Sequence, residues 1–148
     1  MNDIFTFEGR IGRGRFWYRM VLQVFFAACL SVLIVVASEH IPRGWEILAG
    51  VAVFLVFIPL ITFGLSTLFR RLHDRNRSGW WLFLYWLAPG ALSVFGERFE
   101  NELALLASLA ISLVGIIDIG IMPGTRGENR FGRKRTEQRA IDALEVVK

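Results

Sequence analysis

The residues best suited to chemistry lie in one short polar segment, which runs from Arg70 to Trp81. It places His73 beside Asp74, and a carboxylate next to an imidazole can orient the ring and tune it for proton transfer. The same segment also fits a tight turn between two helices, in which Arg70 pairs with Asp74 and Ser78 caps the following helix. The turn is the favoured interpretation, because clusters of charged residues are often structural networks.

A second candidate is Asp118, a carboxylate within the apolar stretch 103–122. An ionisable side chain inside a membrane segment is a functional candidate by default, here for relaying a proton or a cation. Asp118 also lies about one helical turn before Pro123, near enough to the end of the stretch to reach an arginine. Because one isolated acid makes a poor pathway, we favour a salt bridge that fixes helix packing. The expected partners are Arg70, Arg71 or an arginine of the N-terminal segment.

Signatures of other chemistry are missing from the sequence. The single cysteine, Cys29, excludes an intramolecular disulfide and a cysteine-rich metal site. The chain has no nucleophile elbow, no zinc-type histidine pair and no phosphate-binding loop, and Pro123-Gly124-Thr125 predicts a turn instead. We therefore predict no catalytic residue, no cofactor and no metal, and we favour a protein that is not an enzyme.

Four apolar blocks must position these residues. Hydrophobic residues make up 54% of the 148 residues, and the mean hydropathy is +0.48. The excess is concentrated in blocks at about residues 17–37, 47–69, 80–95 and 103–122, which indicates membrane helices. The third block is short, since its 16 residues rise only about 24 Å as a helix against a hydrocarbon core of about 30 Å. Pro89-Gly90 is expected to break it further.

The distribution of Lys and Arg decides how many blocks cross the membrane. With Arg19 counted in the first, the five segments outside the blocks carry four, one, four, one and seven basic residues, the single ones being Arg43 and Arg98. Basic residues remain on the cytoplasmic side. The alternation therefore favours four crossings with both termini in the cytoplasm. The cytoplasmic side would then carry a net charge of +8 and the outer side a net charge of −3.

A basic face of this kind attracts anionic lipid headgroups, by about 1 kcal/mol for each basic residue near the surface. Nucleic acid is the other usual partner of a chain whose pI is about 10.0. We do not expect it, because topology already explains the charge and no nucleic-acid-binding motif occurs. The expected partners are the lipid bilayer and its anionic phospholipids, with a membrane-protein partner or a homo-oligomer as alternatives.

Three arginine- and glycine-containing segments lie on the predicted cytoplasmic side, at residues 7–17, 70–81 and 123–132. They read F-x-G-R-x-x-R-x-x-F-W, R-R-L-H-D-x-x-R-S-G-W-W and P-G-T-x-G-x-N-R-F-G. In this order, interleaved with four apolar blocks, they resemble the domain of unknown function 805 (DUF805) family, the YhaH-like bacterial inner-membrane proteins. The resemblance covers about Phe5 to Gly132. It implies a small four-helix inner-membrane protein with cytoplasmic ends, and no established activity, cofactor or substrate.

Three positions depart from the pattern of that family, one of them being Arg75, where the family often has isoleucine. Gly12 stands where the family often has a serine, which would cap the first helix better than glycine does. Asn76 stands where the family often has glycine, and asparagine tolerates the left-handed backbone of a turn better than most residues. The paired Trp80 and Trp81 that follow fit anchors at the membrane interface.

The sequence therefore predicts an all-α, polytopic membrane protein with a single four-helix domain over residues 1–132 and a cytoplasmic tail over 133–148. Ala140, Ile141, Leu144 and Val147 suggest a short amphipathic helix in that tail, or a frayed end. The three polar segments are expected to form a cytoplasmic cap held by contacts between arginines and carboxylates. The candidate structural or functional residues are Arg10, Arg13, Arg70, Arg71, His73, Asp74, Arg77, Ser78, Gly79, Trp80, Asp118, Pro123, Gly124, Asn129 and Arg130.

Three functional hypotheses follow. The favoured one is a non-enzymatic membrane module that binds anionic lipid or a protein partner through its basic face. The second is a small oligomeric transporter or channel that uses Asp118 and the break at Pro89-Gly90. The third is a membrane enzyme centred on His73 and Asp74, which requires a cavity beside His73.

Overall fold

The computed structural model of the chain describes residues 6–42 and 44–146, so the predictions about Arg43 and Val147 lie outside the described residues. The described residues form helices and no β-strand, apart from one isolated bridge between Asn129 and Gly132. The fold is all-α, as predicted. Two π-helical segments, Phe83–Leu87 and Ile117–Ile121, join the α-helices, which are α1 (Arg13–Ser38), α2 (Glu46–Asp74), α3 (Ala88–Arg98), α4 (Glu102–Ile116) and α5 (Arg135–Val146).

Three helices are long and apolar enough to cross a membrane. They are α1 with 26 residues, α2 with 29 residues, and the continuous helix Glu102–Ile121 with 20 residues, which combines α4 and the second π-helical segment. Large apolar side chains such as Val24, Phe54 and Leu106 are exposed along them. An apolar medium would cover these side chains, and a helix satisfies its own backbone hydrogen bonds there.

The third apolar block forms a helix, but it differs from the prediction in its bounds and its continuity. The π-helical segment Phe83–Leu87 leads directly into α3, which ends at Arg98, so the expected break at Pro89-Gly90 is wrong. Proline lacks an N–H group and its ring clashes with the carbonyl one turn earlier, and a wider π-helical turn at that place relieves both problems. The Pro89 carbonyl is used by α4, because Ser108 Oγ donates to it at 2.8 Å.

The end of α2 explains the geometry of the polar segment that follows. The helix continues through Asp74, so His73 and Asp74 lie in its last turn rather than in a loop. Asn76 has a φ of 58°, as expected for a left-handed turn residue. The amides of Asn76 and Arg77 donate to the carbonyls of His73 and Leu72 at 3.0 and 2.9 Å, which is the Schellman arrangement at a helix end. The chain therefore reverses immediately after Asp74.

Small residues allow the helices to approach each other closely. α1 packs against α2, and α3 packs against α4. A Cβ at Gly64 would meet Gln23, and a Cβ at Gly115 would meet Tyr85, which is the way glycine is used between membrane helices. The buried apolar core lies near the polar segments and contains Ile11, Phe16, Leu72, Leu82, Tyr85 and Ile119.

The tail forms the suggested short helix, α5, over Arg135–Val146. Its apolar positions include Ala140, Ile141 and Leu144, and Leu144 is exposed. The helix begins directly after Lys134, whose side chain reaches the polar segments described below.

Glycine packing gives a matched pair of stability predictions. We expect Gly115→Ala to lower the melting temperature, because the new Cβ would lie 2.9 Å from the Cβ of Tyr85 and overpacking costs about 1–3 kcal/mol. Gly50→Ala should leave it unchanged or raise it, because no atom lies within 4 Å of that Cβ and alanine is the better helix former. Thermal unfolding in detergent measures both variants. Equal shifts of the two would contradict the packing at Gly115.

Candidate functional site

Asp74 lies at the centre of what we call the loop cluster, which consists of residues 6–12, 75–81 and 122–134 and the helix ends that they cover. Its side chain is fully buried and has three cationic partners. The distances to the carboxylate are 2.6 Å from Arg71 Nη1, 3.1 Å from Arg10 Nη2 and 3.3 Å from Lys134 Nζ. Since Arg10 precedes α1 and Lys134 follows α4, one carboxylate connects all three polar segments.

The guanidinium of Arg10 is satisfied almost entirely by the third segment. Arg10 is 2% exposed. Its Nη1 donates to the carbonyls of Gly127 at 2.6 Å and Gly132 at 3.0 Å, and its Nη2 donates to the carbonyl of Thr125 at 2.5 Å. A buried guanidinium requires such acceptors, because each unsatisfied N–H group is costly. The N-terminal segment is therefore locked onto the turn that follows α4.

Backbone carbonyls at the end of α2 also accept hydrogen bonds from the third polar segment. The carbonyl of Asp74 accepts hydrogen bonds from the Thr125 amide at 2.8 Å and the Thr125 hydroxyl at 3.1 Å. Asn129 Nδ2 donates to the His73 carbonyl at 2.9 Å and to the Thr125 hydroxyl at 2.8 Å. A Cβ at position 124 would overlap the Asp74 carboxylate. Glycine is thus required at position 124, because the backbone there lies too close to Asp74 for any side chain.

Five successive backbone carbonyls, those of residues 119–123, accept side-chain N–H groups at the end of the continuous helix Glu102–Ile121 and directly after it. Arg71 supplies two of these bonds, from Nε to Ile119 at 2.7 Å and from Nη2 to Met122 at 2.5 Å. The last carbonyls of any helix lack an internal partner, and cations are favourable there. Side chains from α1 and from the end of α2 therefore cap this helix. The other three bonds are Trp17 to Gly120 at 3.1 Å, Arg13 to Ile121 at 3.1 Å and Arg75 to Pro123 at 2.6 Å.

Asp118 forms the expected internal salt bridge, but the predicted partners are wrong. Arg75 Nη2 lies 2.9 Å from its Oδ1, and Arg77 Nε lies 3.3 Å from its Oδ2. Tyr85 completes the group, because its hydroxyl accepts from Arg77 Nη1 at 2.7 Å and donates to Asp118 Oδ2 at 3.3 Å. The chain reversal after Asp74 carries Arg75 and Arg77 over α4, whereas Arg71 is used by Asp74 and two carbonyls.

The remaining candidates of the central segment have packing roles. Arg77 lies over the ring of Trp81, with 3.9 Å between the guanidinium carbon and the ring centroid, a favourable cation–π geometry. Gly79 lies against Phe69, where a larger residue would collide with the ring. The carbonyl of Ser78 accepts from the Trp81 amide at 3.2 Å, so Ser78 makes this turn with its backbone rather than through its hydroxyl. Trp80 is 74% exposed.

The arginines that flank the cluster differ in their contacts. The carbonyl of Arg70 accepts from the Ile11 amide at 3.3 Å, so the N-terminal segment also pairs with the end of α2. Arg130 lies over Phe131 at 4.7 Å from the ring centroid. We predicted that Asp74 pairs with Arg70. The Asp74 carboxylate instead lies within salt-bridge distance of Arg10 and Arg71, so it is shared between two segments.

His73 and Asp74 do not form an acid–base couple. The His73 ring is stacked on Phe131, with centroids 3.8 Å apart and planes inclined by 7°. The Asp74 carboxylate faces Arg10 and Arg71 on another side. His73 is also not among the residues that line the two large cavities. The catalytic interpretation therefore lacks the orienting contact between His73 and Asp74 that it requires.

In the part of the chain that the structure describes, two apolar cavities lie between helices, and no pattern in the sequence indicates them. One has a volume of 350 Å³ and the other 380 Å³, and both are lined in part by Leu82 and Trp86. No charged side chain lines either cavity. They are therefore unlike the polar pathway that an ion or proton would follow. The part of the chain that the structure describes also contains no group of three or more potential metal ligands.

The cluster includes residues that sequence reasoning did not single out. Thr125 was visible as part of the P-G-T motif, but its bonds to Asp74 and Arg10 depend on segments far apart in sequence. Tyr85 and Trp17 lie within apolar blocks, where an aromatic residue normally indicates only packing or an interface position. Their polar atoms become informative once Asp118 and Gly120 are placed beside them.

The burial of Asp74 predicts a large effect of neutralising it. We expect Asp74→Asn to lower the free energy of unfolding by about 3–5 kcal/mol, because it leaves buried guanidinium groups without their counter-ion. Glu128→Gln is the matched control, since its partner Arg133 is also exposed and exposed pairs contribute at most about 1 kcal/mol. Denaturant unfolding in detergent compares the two. Similar losses for both variants would refute the central role of Asp74.

Comparison with known proteins identifies the family of the chain. The sequence profile of the family described as "Protein of unknown function (DUF805)" matches residues 4–133. "Uncharacterized protein YiiR" of Escherichia coli K12 is 31% identical over 88% of this chain and 86% of its own length. "Inner membrane protein YhaH" of the same strain is 31% identical over 89% of this chain and 88% of its own length. No solved structure matches. The chain belongs to the DUF805 family.

Proposed function

We propose that this protein is a four-span, non-enzymatic module of the bacterial inner membrane whose loop cluster forms a cytoplasmic cap that binds anionic phospholipid headgroups. The all-helical fold with three span-like helices supports the membrane assignment. The relative YhaH is named an inner membrane protein, which supports the assignment to that membrane. The ligand, the number of crossings and the orientation are our proposal.

The observation that carries the proposal is the way charge is divided within the loop cluster. Its two buried acids, Asp74 and Asp118, are neutralised by interior cations. Arg126 and Arg130 of the cluster are exposed, and within the described ranges neither has a carboxylate at salt-bridge distance. The five cations paired with these two acids exceed them in charge, and the exposed arginines add further positive charge at the surface. Such charge attracts anionic headgroups by about 1 kcal/mol for each residue near the surface.

The opposite end of the bundle supports the orientation. The turn between α3 and α4 carries Glu97, Glu100 and Glu102 beside Arg98, and the end of α1 carries Glu39. This end is acidic, whereas the loop-cluster end is basic. Since basic residues remain on the cytoplasmic side, the loop cluster is assigned to the cytoplasm and both termini with it.

The other hypotheses have less support. Asp118, the residue on which a transporter or channel would depend, is held by two arginines and a tyrosine. The proposed break at Pro89-Gly90 is a continuous helix. A protein partner or a second copy of the chain would use the same basic face, and the lipid experiment below separates these alternatives from a lipid.

Accessibility of single cysteines tests the topology. In a Cys29→Ala background, we expect Glu100→Cys to react with a membrane-impermeant maleimide added outside spheroplasts, because it lies in the acidic turn. Ala140→Cys, in α5 at the other end, should react only after the membrane is disrupted. Labelling is measured by the mass shift of the purified protein. External labelling of Ala140→Cys would place α5 outside the cell and refute the proposed topology.

Lipid preference tests the ligand. In phosphatidylcholine vesicles, tryptophan fluorescence should be quenched more by acyl-brominated phosphatidylglycerol than by the same fraction of brominated phosphatidylcholine. The difference should shrink in 1 M salt, where the Debye length falls to about 3 Å. Arg126→Gln combined with Arg130→Gln should reduce it, and Arg98→Gln at the opposite end is the control. Equal quenching by both lipids would favour a protein partner instead.

A further inference from the structure

A second group of arginines lies outside the Asp74 and Asp118 networks, at the seam between α1 and α2. Arg15, Arg19 and Gln23 are spaced four residues apart in α1, so they follow one face of the helix. Gln23 Nε2 donates to the Leu60 carbonyl of α2 at 3.3 Å. The guanidinium carbon of Arg19 lies 5.6 Å from the ring centroid of Phe63, also in α2. This polar stripe therefore faces α2.

Arg70 belongs to the same group. It lies two turns beyond Phe63 on α2, on the same face of that helix. The positive charges of Arg15 and Arg70 both act on Arg19, and the charge of Arg15 acts on Arg70. Arg19 and Arg70 are partly removed from water whereas Arg15 is exposed, and like charges that lie close together repel one another. Across residues 6–42 and 44–146, neither Arg15 nor Arg19 has a carboxylate within salt-bridge distance.

Two polar atoms of the stripe are buried and lack a hydrogen-bond partner in the described part of the chain. They are Arg19 Nη1, a donor, and Gln23 Oε1, an acceptor. Buried polar groups are nearly always hydrogen-bonded, and an unsatisfied charged donor is the costliest kind. The Arg19 donor therefore favours a group that is negatively charged and accepts hydrogen bonds from guanidinium.

The depth of Arg19 identifies where such a group would come from. Arg19 is six residues inside α1, which places its Cα about 9 Å along the helix axis from the first turn. Its neighbours on the outer surface of α1 are apolar and exposed, among them Tyr18, Val21 and Phe25. Arginine side chains at such a position extend toward the headgroup layer. The anionic group of that layer is a phosphate.

We propose that Arg15 and Arg19 bind the phosphate of one membrane phospholipid, whose acyl chains lie along the exposed apolar surface of α1 and α2. Guanidinium groups bind phosphate oxygens with paired, charge-assisted hydrogen bonds. This site rests on the proposed function for its orientation, and it replaces a diffuse basic face with one discrete site. Phosphate chemistry is shared by a lipid headgroup and by free phosphate, and the experiment distinguishes these two sources.

Native mass spectrometry of the full-length protein in a neutral detergent tests the site. Titration with short-chain phosphatidylglycerol should give a saturable one-lipid adduct. Arg19→Gln and Arg15→Gln should each weaken it about fivefold, as expected for one basic residue at a lipid surface. Arg126→Gln removes the same charge from the loop cluster and is the matched control. Equal weakening by Arg126→Gln and Arg19→Gln, or no saturable adduct, would overturn the proposal.

A stability measurement and a competition with inorganic phosphate complete the experiment. Arg15 is exposed, so Arg15→Gln should melt at the wild-type temperature, and weaker lipid binding by this variant cannot be attributed to unfolding. Inorganic phosphate at millimolar concentration should not displace the lipid, and displacement would assign the site to free phosphate and refute the lipid.

The outcome is also separable from that of the proposed function. An adduct that depends on Arg19 but not on Arg126, with equal quenching by the two brominated lipids, would retain the site and refute the diffuse basic face. Unequal quenching without a saturable adduct would retain the diffuse basic face and refute the discrete site.

Discussion

The structure depends on a single buried carboxylate. Asp74 holds Arg10, Arg71 and Lys134, which come from three segments separated by apolar helices. Removing one anion and its cations from water is favourable only when every partner is present and the remaining donors are satisfied. The carbonyls of the third segment satisfy those donors. The loop cluster is therefore a fixed part of the fold, and its charged hydrogen bonds add to the apolar packing of Ile11 and Leu72 beside them.

Arginine has a role here that lysine could not fill. Arg71 uses Nη1 for Asp74, Nε for the carbonyl of Ile119 and Nη2 for that of Met122. One planar side chain thus joins the charge network of α2 to the open end of the α4 helix. Lysine offers a single nitrogen and could not reach three acceptors that point in different directions. The π-helical segment before Met122 contributes, because it leaves its carbonyls pointing toward these donors.

Much of the fold could be predicted from the sequence, because apolar length and turn residues act locally. The positions of α1, α2 and the Glu102–Ile121 helix, and the left-handed Asn76, follow from such signals. The apolar blocks did not show that α1 begins at Arg13 or that α2 continues through Asp74. The partners of Asp118 could not be predicted, because they depend on how far the chain reverses after α2. The continuity of α3 was also missed, because a π-helical turn that accommodates Pro89 has no signature in a single sequence.

The reach of Arg10 has a consequence for biosynthesis. Its acceptors at Thr125, Gly127 and Gly132 are more than a hundred residues downstream. The ribosome releases the N-terminal helices first, so α1 and α2 enter the membrane while Arg10 and Arg71 still need water. They can be dehydrated only after the turn beyond α4 and Lys134 have emerged. The loop cluster can thus form only after this turn has been synthesised. In a chain that stops before the turn, Arg10 and Arg71 remain hydrated, which distinguishes that chain from the finished protein.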